Sequence, residues 1–351
     1  PYGSQSAYSN NVANGNGYGF VYDFTNNNPL IVPERQKTYE FGTELWFLSG
    51  RIKIDATYYN TRNIGQIVEA VRLSYGTGFV LNTSNIADTK NSGYEVSLNV
   101  QPVKSKNLAW NMMFNFAATK NKVTKLPGNI PEFYNSDTFL GNFRNGLTRN
   151  GSITQITGLD YLRNNAGQII IDPANWLPLS AKKNTKIGDR NPDFTLGIYN
   201  NFTFKKGFTL SFLWDIKKGG DILNANEIFM YQQGISKRTL DREVPRIVPG
   251  VLNDGLQNTA NPTINTIQVV PMFQSAYYTD RAYPVDFVEH DVNWLRLRDI
   301  TLRYTLGPNL IKRFKLFSAA DVFATATDVV LFTNYSGVDP TAAGNSAATR
   351  G

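Results

Sequence analysis

Long and short connections take turns along this chain, and that alternation constrains the fold more than any other feature. Eight stretches alternate apolar and polar side chains: residues 39–48, 51–62, 93–103, 108–121, 193–204, 208–219, 294–306 and 317–331. The links between them are 49–50, 63–92, 104–107, 122–192, 205–207, 220–293 and 307–316, with a further loop opening at 332. In an antiparallel sheet every second link lies at the same end, so all the long ones gather on one side. A soluble sandwich has no physical reason for that asymmetry. An outer-membrane barrel has one, because its periplasmic turns are short and its extracellular loops long.

The stretches themselves agree. In 208–219, Phe208, Leu210, Phe212, Trp214 and Ile216 oppose Thr209, Ser211, Asp215 and Lys217. In 51–62, Ile52, Ile54, Ala56 and Tyr58 oppose Lys53, Asp55, Thr57 and Tyr59. In 93–103, Tyr94, Val96, Leu98 and Val100 oppose Glu95, Ser97, Asn99 and Gln101. A period of two puts each set on its own face of a strand. Crossing a bilayer takes about 9–11 tilted residues, and every stretch is that long. The fold class expected is all-β, an antiparallel transmembrane β-barrel. Closing a barrel on eight strands requires the last to meet the first, and so small a barrel rarely carries two connections of this length. The eight therefore read as an arc of a larger barrel.

Composition narrows the alternatives. No apolar run approaches the roughly 18 residues of a membrane helix. The aromatic share is 13% and there is no cysteine, so thiolate and disulfide chemistry are excluded. The net charge of +7 is dispersed, its densest run being KRFK at 312–315. Nucleic-acid binding would call for a basic stripe with interleaved aromatics, and none is present. The chain opens on PYGSQS and ends on SAATRG, which reads as a piece of something longer.

The motifs that carry chemistry are weak. His290, the only histidine, lies between Glu289 and Asp291 and reads as a surface residue at a strand entrance. Asp215 with Asp221, and Glu289 with Asp291, form nominal carboxylate pairs of the kind glycosidases use, but carboxylates are expected in any polar lumen. LRNNAGQIIID at 162–172 has Asn164 and Asn165 where a calcium loop needs acids, and no closing glutamate. The expectation is no enzyme, no metal and no cofactor. On the polar face Glu44, Lys53, Asp55, Glu95, Asp215 and Lys217 are candidate lumen-lining residues. In the long connections Phe133, Tyr134, Trp176, Tyr231, Tyr277 and Tyr278 are candidates to touch substrate or a capping protein, because aromatic rings suit both sugar faces and interfaces. A secreted or surface β-rich carbohydrate-binding protein is the alternative reading.

Four stretches carry a family resemblance: NIADTKNSGYEVSLN at 85–99, IGDRNPDFTLGIYNNFTFKKGFTLSFLWDIKKGGDI at 187–222, VEHDVNWLRLRDITLRYTL at 288–306 and VFATATDVVLFTNYSGVDP at 322–340. Together they resemble the C-terminal half of a SusC/RagA-type TonB-dependent transporter of the Bacteroidetes outer membrane. The resemblance implies a 22-stranded barrel, with residues 1–351 its C-terminal part and the plug domain and final strand absent. It implies import of a large nutrient, an oligosaccharide or a peptide, and a SusD-like lipoprotein capping the extracellular loops at about 63–92, 122–192 and 220–293. The TonB complex, reached through the plug, would supply energy, and transporter–lipoprotein pairs would assemble as dimers.

One stretch changes parity. Leu295 and Leu297 are odd, whereas Ile300, Leu302, Tyr304 and Leu306 are even. Either a bulge near Arg298–Asp299 restores one apolar face, or residues 297–306 alone fill the apolar band. Strand length favours the second. Arg296 and Arg298 are then expected to emerge on the lipid side at the rim, against outer-membrane lipopolysaccharide, with Leu295 and Leu297 pointing inward.

Overall fold

A computed structural model describes residues 8–14, 17–22, 25–26, 28–72, 81–128, 132–134, 143–205, 207–279, 283–307, 311 and 318–341. Eight long strands form one sheet: β1 (Arg35–Phe47), β2 (Ile52–Arg72), β3 (Leu81–Lys104), β4 (Leu108–Lys125), β5 (Phe194–Phe204), β6 (Phe208–Lys218), β7 (Trp294–Thr305) and β8 (Asp321–Thr333). Their order in the sheet is their order in the chain, and every neighbouring pair of the eight is antiparallel. This is the meander that short turns and same-end connections demand.

Register converts the sequence alternation into two chemically distinct faces. Leu45, Ile54, Leu98, Phe114, Ile198, Trp214, Leu297 and Val330 stand opposite one another from β1 to β8. One residue along, on the other face, the row is Glu44, Asp55, Ser97, Asn115, Gly197, Asp215, Arg296 and Leu331. Aromatic pairs cluster at both ends of the apolar face. Tyr58 with Tyr94 (5.0 Å) and Phe116 with Phe194 (5.5 Å) lie toward the long connections; Trp110 with Phe202 (5.2 Å) and Phe208 with Tyr304 (4.5 Å) lie toward the short turns. Phe194 and Phe204 bound β5, and ten steps of about 3.3 Å tilted near 40° give about 25 Å, the height of an outer-membrane apolar band. Trp46 is on the polar face, with the Lys53 ammonium 5.5 Å from its ring centre.

Two expectations change. Most of the 63–92 stretch is strand, because β2 and β3 run to Arg72 and from Leu81. Register shifts between Asn63 and Gln66 and between Val68 and Val71 interrupt the period of two, which is why the pattern fades there. The second change is at the rim. Against β6 the register steps from Leu213–Asp299 to Trp214–Leu297, so Arg298 is the extra residue of a bulge. That bulge keeps Leu295 and Leu297 on the apolar face with Ile300 and Leu302. Arg296 faces the polar side and is only 3% exposed, and Arg298 reaches Asp215 on that same side. Neither arginine meets lipid.

At the short-turn end, Gly207 adopts φ 84, and a Cβ there would lie 2.6 Å from the Thr305 carbonyl oxygen. Only glycine lets the β5–β6 turn approach β7 so closely. Gly93 on β3 leaves room for the Tyr59 ring, whose hydroxyl lies 2.8 Å from Thr119 Oγ1.

Candidate functional site

The polar face holds a charge network at the two irregularities of β7 and β8. Arg298 donates to Asp215 from Nη2 (2.7 Å) and Nε (3.1 Å), and Trp294 Nε1 donates to the same oxygen at 3.3 Å. Arg296 donates to Asp328 (2.8 Å) and to Asp339 (2.6 Å). Asp328 is left-handed, φ 49, opposite the Arg298 bulge, where the register advances two residues on β7 and three on β8. An aspartate tolerates that backbone region better than most residues. The Arg296–Asp339 bond fastens the segment after β8 to the wall, and burial of the guanidinium makes that fastening costly to break.

A second anchor lies above it. The Glu289 carboxylate accepts from Ser336 N (2.7 Å), Ser336 Oγ (2.6 Å) and Asn224 Nδ2 (3.0 Å). Asp221 accepts from the amides of Asp189 (2.7 Å) and Asp291 (3.2 Å), and His290 Nδ1 is 3.2 Å from it. Of the nominal catalytic carboxylates, Asp221 and Glu289 are tied up in holding loops, Asp291 pairs with Lys218, and Asp215 is held by β7. Asn164 does likewise, accepting from the amides of Ala166 and Gln168 and donating to the Gln257 carbonyl. Among the described residues no cluster of three or more metal-ligating side chains occurs.

Beyond the wall the two longest connections interlock. Gln155–Tyr161 pairs with Ser180–Asp189 and with Phe143–Arg144 inside the first. Ile170–Ile171 of the first then pairs in parallel with Val251–Leu252 of the second. Ile156 and Ile187 of the first pack on Val288 of the second. A separate cluster, Ile86, Ala87, Val123, Leu126 and Phe133, joins the ends of β3 and β4 to the first connection. The result is a cap seated on the sheet.

In the cap the structure brings together three of the six predicted aromatics. Tyr231 meets Tyr278 edge-on (5.0 Å) and Phe287 (5.4 Å), and Tyr277 meets Tyr278 (5.0 Å). The Arg238 guanidinium lies over Phe287 (4.7 Å) and Tyr231 (5.1 Å). Tyr161, next to Tyr283 at 4.9 Å, donates a hydrogen bond from its hydroxyl to Asp286. Burial raises the Tyr161 hydroxyl above its ordinary range and the Asp286 charge raises it further. Phe133 is only 4% exposed, so its ring holds the cap to the wall instead of facing solvent. Trp176 is half-buried at φ 63 in a turn closed by its own amide on the Asp172 carbonyl, 2.8 Å. The side chain of Tyr134 lies outside the described residues.

Register puts the six lumen candidates on one face. Glu44, Asp55 and Asp215 share one row; Lys53 lies one row to one side, Glu95 and Lys217 on the other. Lys53 and Glu44 pair at 2.5 Å, and Lys217 lies over the Trp294 ring at 4.7 Å. Sequence reasoning missed Asp328, Asp339 and Ser336, and it gave Arg296 and Glu289 other roles than the ones they hold here. The parity change at Leu297 and Ile300 was the available signal for the bulge. No such signal marks Asp328, since the apolar residues of β8 keep one parity through it.

Residues 2–215 match the sequence profile of the family described as TonB dependent receptor-like, beta-barrel. The chain belongs to that family. TonB-dependent receptor barrels lie in the outer membrane, and the wall described above is an arc of one. Among characterised relatives, TonB-dependent receptor P3 of Formosa agariphila is 24% identical over 341 residues, covering 91% of this chain and 32% of its own length. TonB-dependent receptor SusC of Bacteroides thetaiotaomicron is 24% identical over 327 residues, covering 88% and 29%. The RagAB peptide transporter structure superposes with a TM-score of 0.67 at 18% identity, over 97% of this chain and 36% of that one. The SusC/RagA resemblance read in the sequence is therefore supported. The chain spans about a third of the length of these relatives, and they are receptors and transporters, not enzymes.

Proposed function

We propose that this chain forms part of the wall and the extracellular cap of an outer-membrane importer for a large nutrient, an oligosaccharide or a peptide, driven through TonB. The observation that carries the reading is the joining of a continuous polar face to a folded cap that both long connections build. The long-connection end faces outward, and cargo passes along the face lined by Glu44, Lys53, Asp55, Glu95, Asp215 and Lys217. A SusD-like lipoprotein closes over the cap. Its support is an exposed apolar group there, in which Phe273 and Leu240 are 79% and 78% exposed and Ile235, Val244 and Met272 are exposed as well. Soluble surfaces seldom gather such side chains without a partner. Pairs of transporter and lipoprotein assemble as dimers.

The test is uptake by cells that produce the complete protein. Labelled oligosaccharides and peptides are supplied with and without a protonophore, and the cargo class is the one whose energy-dependent uptake disappears on deletion. Uptake of neither class, or uptake indifferent to the protonophore, would refute the reading. Replacing Leu240 and Phe273 by Asp is expected to abolish co-purification of the lipoprotein; unchanged co-purification would remove the lid from this surface.

A further inference from the structure

Four basic residues stand in one row on the outward face of β1–β4. Lys37 is opposite Arg62, Arg62 opposite Lys90, and Lys90 opposite Lys122. All four side chains are exposed, as is Lys120 two residues nearer the membrane on β4. Their face is fixed by parity: each belongs to the set that includes Phe41, Tyr58, Tyr94 and Phe116. The residues between them point the other way. Val123 is fully buried in the cluster that seats the cap, and Thr89 is buried beside Asn63.

Such a row is unfavourable by itself. Like charges directly across a strand pair repel, and here three successive pairs repeat the repulsion. Among the described residues the one carboxylate in range is Asp88, 4.0 Å from Arg62. Its height gives the row a purpose. The aromatic row Phe41, Tyr58, Tyr94 marks the boundary of the apolar band, and Lys37, Arg62 and Lys90 follow four residues farther along. Four steps are about 13 Å along the strands and about 10 Å along the membrane normal at barrel tilt. That is just past the apolar core, where headgroups lie. Perpendicular to the strands, the row crosses the headgroup layer obliquely over about 14 Å, three strand spacings.

We propose that Lys37, Arg62, Lys90, Lys122 and Lys120 form a binding site for the phosphate groups of an outer-leaflet glycolipid. The ammonium groups meet phosphate oxygens as point charges, the Arg62 guanidinium offers a forked donor, and the acyl chains lie on the aromatic and aliphatic rows below. A lipid occupant follows from continuity with the apolar face; an acidic protein would have to stand in the headgroups to reach the row. The site rests on the outward orientation proposed above.

The test uses the complete protein in detergent, with K37Q/R62Q/K90Q/K122Q beside a control that neutralises Lys182 and Lys183 of the cap. Native mass spectrometry reads retention of added bis-phosphorylated lipid A, dephosphorylated lipid A and phosphatidylethanolamine. The expected result is at least fivefold lower retention of bis-phosphorylated lipid A by the fourfold variant, parental retention by the control, and weak retention of the other two lipids throughout. Equal retention by variant and parent, or indifference to the phosphates, overturns the site. So does loss of an acidic protein partner with lipid retention intact. Unchanged heat-modifiable gel migration shows that the variant is folded, and K90E/K122E then supplies a second, stronger reading. Cargo uptake and surface labelling of the cap test the orientation separately, so either idea can fail alone.

Discussion

The wall and the cap solve burial in opposite ways. In the cap, Ile171, Leu177 and Val251 have no exposure at all, and the packing is that of a soluble interior. In the wall the large apolar side chains face out; Phe41 is 71% exposed. The same residue types are sorted by two solvents. Lipid removes the reason to hide them in the wall, where the backbone alone must be satisfied, strand to strand. Water restores it in the cap, where hairpins and two-residue pairings hold irregular segments around small apolar clusters. Damage should therefore follow different rules in the two regions.

The largest effect is expected where they join. Phe133→Ala leaves a cavity among Ile86, Ala87, Val123 and Leu126, at a cost of about 3–5 kcal/mol. The wall does not depend on that ring, so gel migration should stay heat-modifiable while limited proteolysis nicks the 122–192 connection. Loss of barrel assembly instead would mean that wall and cap fold as one unit.

Within the wall, a charge should matter by face. Leu98→Arg puts a cation at mid-height on the lipid side, a penalty of about 2–4 kcal/mol. Ser97→Arg puts it beside Asp55 and Asn115 on the polar side. Urea unfolding in lipid vesicles should show L98R clearly weakened and S97R near the parent. Equal effects would contradict the assignment of faces.

The same contrast explains what was legible. Each wall strand states its inward and outward sets in its own residues, and link lengths state the topology, so the eight strands, their order and their faces were readable except at the upper end of β7. Lys217 and Asp215 could be placed on the polar face from parity alone. The cap depends on partners far apart in sequence, as when Ile170 meets Val251, and no local period announces such a pairing. Tyr231, Tyr277 and Tyr278 were named for their type; only the folded cap shows that Tyr278 meets the other two edge to face. At Arg298 the sequence did carry the sign, a change of parity. Strand length was the wrong arbiter, because a bulge lets a strand keep one face while gaining a residue.

The smallest effect concerns the fastening of residues 334–341, which belongs to neither region. Asp339 lies where burial works to raise its pKa, yet hydrogen bonds from Arg296 and Thr341 outweigh that and hold it at about 2, below its ordinary 3.8. A depressed carboxylate stabilises the fold in full above its ordinary pKa and loses that contribution as pH falls through the folded value. Pepsin cleavage after β8 should accordingly stay slow at pH 4 and accelerate toward pH 2. Asp339→Asn should be cleaved quickly at pH 4 already, by about the 1–3 kcal/mol of a lost charge-assisted bond, with the wall unchanged. A parent chain cleaved equally at both pH values would show that Glu289 and its bonds to Ser336 hold the segment without help from Arg296.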